Sequence, residues 1–76
     1  MKINLQKGMP QKVAIKAMAA LGQWENGEVR ATKLWNQKKN KDVLKLDIGR
    51  DWRAVTTDNG ETWDVMSHEK YSSKFM

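Results

Sequence analysis

Trp35 stands beside the run NQKKNK (Asn36 to Lys41), the first combination of residue types in this chain that could do chemistry. An indole can stack a nucleobase while neighbouring lysines neutralise phosphates. Trp35 with Lys33, Lys38, Lys39, Lys41 and Lys45 is therefore a candidate nucleic-acid contact. A solvated polar turn explains the same run. Other chemistry is excluded by what is missing. The chain has no cysteine and one histidine, so there is no disulfide framework, no thiolate metal site and no histidine cluster, and neither a metal nor another cofactor is expected. A chain of 76 residues buries only about 60% of its unfolded surface, which leaves room for a shallow site at most. The net charge of +5 is uneven: residues 1 to 41 hold nine Lys or Arg against two Glu, and residues 42 to 76 hold five against seven acids. A basic first half suits a polyanionic partner, either a nucleic acid or an acidic protein surface.

These side chains must be carried by regular elements, and the stretch from Val43 to Tyr71 holds most of the signals. Leu44, Leu46 and Ile48 alternate with Lys45 and Asp47, the period of a strand with one buried face. The runs 52 to 57 and 62 to 67 flank Asn59-Gly60, two residues that tolerate the positive φ of a tight hairpin turn. Antiparallel counting then sets Thr57 opposite Thr62, Thr56 opposite Trp63, Ala54 opposite Val65 and Arg53 opposite Met66. A three-residue loop of Gly49, Arg50 and Asp51 pairs Ile48 with Trp52. It gathers the leucines, Trp52, Trp63 and Val65 on one face, which a two-residue loop would split. The opposite face carries Lys45, Asp47, Arg53, Asp64, Met66 and His68, with Val43 and Val55 between them. That face is the candidate working surface, although antiparallel sheets often leave one polar face to water.

Upstream, Met1 to Leu5 suits a short edge strand closing the sheet. Pro10 opens a helix that Gly22 would end, with Val13, Ala14, Ala17, Met18 and Leu21 as the apolar stripe laid on the sheet. Residues 23 to 27 read as a turn. Residues 28 to 35 are ambiguous between helix and extended chain, with Thr32 and Val29 leaning to extension. After Tyr71 the segment SSKFM reads as a terminal turn with Phe75 as an anchor. The expected architecture is α+β, an antiparallel sheet meander with one main helix packed on one face, in a single domain over residues 1–76. No apolar run reaches the length of a membrane span or a signal-peptide core, so a cytoplasmic protein with no membrane partner is expected.

In this order, LKLDIG (Leu44 to Gly49), DWRAV (Asp51 to Val55) and WDVMSHEKY (Trp63 to Tyr71) resemble the RelE/ParE superfamily of small toxins, particularly the short ParE-like members found in phages and prophages. The likeness covers roughly residues 28 to 73. It implies an antiparallel sheet with a helix on one face and the working surface on the other. Arg53 matches the family's strand arginine, His68 its terminal histidine and Tyr71 its terminal aromatic. The ribonuclease branch of that superfamily uses such positions to cut messenger RNA on the ribosome, whereas the gyrase-directed branch acts by binding. The chain departs from longer members in having sequence for one convincing helix where they have a two-helix hairpin.

Under that resemblance His68 would serve as general base or acid, its unperturbed pKa near 6.5 suiting either role. Arg53 would hold phosphate bidentately and Tyr71 would stack or orient. Simple structural roles compete: a strand-end histidine bonded to Asp51 or Asp64, and an arginine paired across strands with Asp64. Asp47 and Asp64 would repel phosphate on the same face. Three readings follow: a weak ribosome-dependent endoribonuclease, a noncatalytic protein that binds a host protein or an antitoxin, and a small nucleic-acid binder using the basic half.

Overall fold

The computed structural model describes all 76 residues. Strand β1 (Lys2–Leu5) leads to helix α1 (Gln11–Glu25), followed by β2 (Thr32–Asn36), β3 (Lys41–Ile48), β4 (Trp52–Thr56), β5 (Thr62–Ser67) and a closing helix α2 (His68–Phe75). The strands form one sheet in the order β1-β5-β4-β3-β2. The meander β2 to β5 is antiparallel, and Ile48 pairs with Trp52 as the pooling of apolar residues predicts. Arg53 faces Met66 and Ala54 faces Val65, also in the expected register.

Four expectations are corrected. The sheet is mixed rather than purely antiparallel, because β1 returns beside β5 in parallel. There are two helices rather than one main helix, and they cover opposite faces of the sheet. Gly22 does not end α1. The helix runs a further turn, and Gly27 at φ 78° closes it, with Gly27 N–H donating to Trp24 O and Glu28 N–H to Gln23 O, the paired bonds of a Schellman motif. The terminal segment is a helix whose N-cap hydroxyl, on Ser67, accepts from Lys70 N–H at 3.2 Å.

The core lies between α1 and the sheet. Ala17 and Leu21 pack on Ile48, Ala54, Trp63 and Val65, and Trp24 meets Trp63 edge-on with ring centroids 5.1 Å apart. Two positions depart from the expected face. Met18 is exposed on α1, and Trp52, at the end of its strand, is only partly buried while Trp63 is fully so. The Asn59-Gly60 turn has both residues at positive φ, but pairing stops at Val55 and Asp64, short of the Thr57–Thr62 and Thr56–Trp63 pairs. Side chains take over there: Thr56 Oγ1 donates to Asp58 and accepts from Gly60 N–H, while Asp58 accepts from Thr62 N–H at 2.8 Å.

The second face is not simply wet. Val43, Val55 and Met66, expected among the charges of a working surface, are buried with Tyr71 under α2, and Phe75 packs against them. The i and i+4 spacing of Tyr71 and Phe75 places both rings on one side of the helix, stacked with centroids 5.5 Å apart. No helix is long and apolar enough to cross a membrane.

Candidate functional site

Covering only part of its sheet face, α2 leaves a gap towards β2. The result is an open cleft of about 380 Å³ whose walls are β2, the outer side of β3 and β4, and α2. Its apolar lining includes Leu34, Val43, Phe75 and Met76; its polar lining includes Lys45, Arg53 and His68. The antiparallel register explains this grouping. Leu34 pairs with Val43, and Thr32 with Lys45, so the second face of β2 continues that of β3, while Asp47 pairs with Arg53 across β3 and β4.

Five of the residues singled out in the sequence meet at this cleft: Trp35, Lys45, Arg53, His68 and Tyr71. Their states differ. Arg53 Nε lies 3.2 Å from Asp47 Oδ1, and its Nη1 donates to the carbonyls of Arg50 and Trp52 at 2.9 Å each. Its side chain is only 14% exposed. The cross-strand partner is thus Asp47 and not Asp64, which instead accepts from Asn4 Nδ2 at the far edge of the sheet. Lys45 Nζ lies 3.3 Å from the same Asp47 and 5.8 Å from the centre of the Tyr71 ring. Two cations and one carboxylate leave a single net positive charge at the floor. Tyr71 is 7% exposed, its ring serving as core. His68 opens α2 at the mouth with its backbone N–H donating to Asp51 O at 2.7 Å, and its side chain is exposed.

The other lysines are elsewhere. Lys33 pairs with Asp42 at 3.6 Å in a separate depression that Thr56 to Asn59 also line. The basic loop is clasped to the end of α2. Lys38 Nζ donates to Ser73 O at 2.7 Å, Asn36 Nδ2 donates to Phe75 O at 2.6 Å, and Lys39 Nζ sits 5.4 Å from the Phe75 ring centre. Cations at a helix C-terminus answer its unpaired carbonyls and the negative end of its dipole. Lys41 opens β3 opposite Asn36 and is exposed. Sequence reasoning missed Leu34, Asn36 and Met76 as lining residues. The available signal was the trio Val43, Val55 and Met66, too apolar for a face left to water.

A sheet with a helix on each face and a half-apolar cleft beside an open strand edge makes this a small α+β domain. The family model for the ParE-like toxin domain matches residues 11–73, and the chain belongs to that family. The match begins upstream of the stretch that carries the sequence likeness and takes in α1. No curated protein and no solved structure matches the chain.

Proposed function

We propose that this ParE-like chain acts as a toxin by seating part of a host enzyme in the cleft between β2 and α2, without cutting RNA. One observation carries the reading: the arginine that would neutralise a phosphorane is already held by a carboxylate and two carbonyls in a nearly buried position. Phosphoryl chemistry needs a cation free to meet charge that develops in the transition state, and here Asp47 faces any approaching phosphate. Tyr71, committed to the second core, cannot splay out to stack a base. What remains accessible is an apolar wall with one net positive charge beneath it and an exposed strand edge carrying Leu34 and Trp35, 39% and 60% exposed. That mixture suits a protein interface.

The weak endoribonuclease reading retains one supporting feature, the exposed His68 ring at the mouth of the cleft. Induced expression separates the two. Growth should slow while transcripts inside translated regions stay intact. Leu34→Asp, which puts a charge on the apolar wall, should relieve the arrest with the circular dichroism spectrum unchanged. Transcripts cut at the onset of arrest, or full arrest by Leu34→Asp, would reject the binding reading.

A further inference from the structure

The outward face of α1 carries features that the monomer does not use. At about 100° per residue, Ile15, Met18, Ala19 and Gly22 fall on one stripe, opposite the buried Ala17 and Leu21. Ile15 and Met18 are 63% and 51% exposed. Gly22 lies inside the helix, where glycine is weaker than alanine, yet nothing stands within 4 Å of where its Cβ would be. No contact within the chain requires a glycine there. The end charges are also reversed. The first turn has no acid and the last turn no base. Lys12 sits instead at the positive end of the helix dipole and Glu25 at the negative end, each on the unfavourable side.

From this self-complementary pattern we infer that α1 is the contact surface for a second copy of the chain, the two helices packing antiparallel about a two-fold axis between Met18 and Ala19. In that register Ile15 faces the second copy's Gly22, the two Met18 side chains meet beside the axis with the two Ala19 positions on its other side, and Lys12 stands level with Glu25 of the second copy across the seam. Ile15 therefore meets a notch. The partner's Glu25 reaches the positive end of this helix and the partner's Lys12 its negative end, so pairing reverses both unfavourable placements. A parallel pair would instead oppose like charges at both ends. An isologous contact of this kind closes on itself and makes dimers, not filaments. It lies across the sheet from the cleft, so a dimer would present two clefts on its outer sides, suited to a target that is itself two-fold.

The shared length of about 20 Å is small. One helix face buries less than the roughly 1,200 Å² of a standard interface, so dissociation constants of roughly 10 μM to 1 mM are expected. Sedimentation equilibrium of the full chain across that range tests the inference. The wild type should shift from monomer towards dimer. Met18→Glu, which sets two like charges at the axis, should raise the dissociation constant at least tenfold. Lys12→Glu and Glu25→Lys should each weaken it, and the double exchange should restore it. All these positions face solvent in the monomer, and circular dichroism verifies that the helix persists. A chain monomeric throughout, a dimer indifferent to Met18→Glu, or a double exchange that fails to restore pairing would each overturn the antiparallel α1 contact.

Discussion

Gly60 is where the hairpin turn meets the helix, and replacing it with alanine perturbs two things that can be separated. Its φ is 94°, a conformation that costs an L-residue roughly 1–2 kcal/mol. A Cβ there would also stand 2.7 Å from Trp24 Cζ3 and closer still to Cη2. The Trp24 ring cannot simply swing away, because its contact with Trp63 anchors the last turn of α1. Displacing it forfeits that edge contact, about 0.5–1.5 kcal/mol, with overpacking strain of about 1–3 kcal/mol. Gly60→Ala should therefore cost about 2.5–6.5 kcal/mol in all, a large fraction of the stability of so small a domain. Urea unfolding followed by tryptophan fluorescence measures it, and Trp24→Ala supplies the second arm of a double-mutant cycle. In the Trp24→Ala background the added methyl meets open space, and only the backbone cost of roughly 1–2 kcal/mol should remain. An equal loss in both backgrounds would refute the ring contact as the cause.

Three further outcomes follow from particular contacts. Asp58 is held below its ordinary carboxyl pKa of 3.8, first by the Thr62 backbone N–H and then by the Thr56 hydroxyl. A depressed folded pKa means its contribution is present at neutral pH and is lost as pH falls from about 4 through the lower folded value. Thermal melts of Asp58→Asn should accordingly flatten over that acid window relative to the wild type. Tyr71→Ala should cost about 3–5 kcal/mol in chemical unfolding, because it empties the centre of the second core; a loss below about 1 kcal/mol would mean α2 is not packed as described. Asn36→Ala removes both the bond to Phe75 O and the acceptor for Lys39 N–H, and should cost about 1–3 kcal/mol while speeding amide exchange in α2.

The parts of the fold legible in the sequence are those where one physical pattern dominates. The alternation of Leu44, Leu46 and Ile48 and the positive-φ pair Asn59-Gly60 set the central strands, and maximising burial set the register of Ile48 against Trp52. Where two signals compete, reading one of them failed. Gly22 resembles a terminator, but the Gly27 Schellman closure lies one turn further on, and the apolar ring of Trp24 gains more by staying helical against Trp63. Helix α2 is short and mostly polar, so its periodicity is carried by Tyr71 and Phe75 alone; the stronger clue was tertiary, in apolar residues on a face thought wet. The direction of β1 could not be read from five residues, since parallel and antiparallel edges share the same alternation. The candidate residues were legible one by one, but the cleft that Trp35, Lys45, Arg53, His68 and Tyr71 share was not. Nor was their availability, because Asp47 and the carbonyls of Arg50 and Trp52 engage Arg53 through geometry that spacing does not reveal.

The binding account turns on whether His68 does chemistry, and the comparison of wild type with His68→Gln under induced expression addresses that most directly. Glutamine keeps a polar side chain of similar reach at the mouth of the cleft but cannot exchange a proton near neutral pH. Action by binding predicts growth arrest of comparable depth from both proteins, with ribosome-bound transcripts intact in each. Arrest by the wild type that disappears with His68→Gln, together with transcripts cut only by the wild type, would contradict it and establish the endoribonuclease instead.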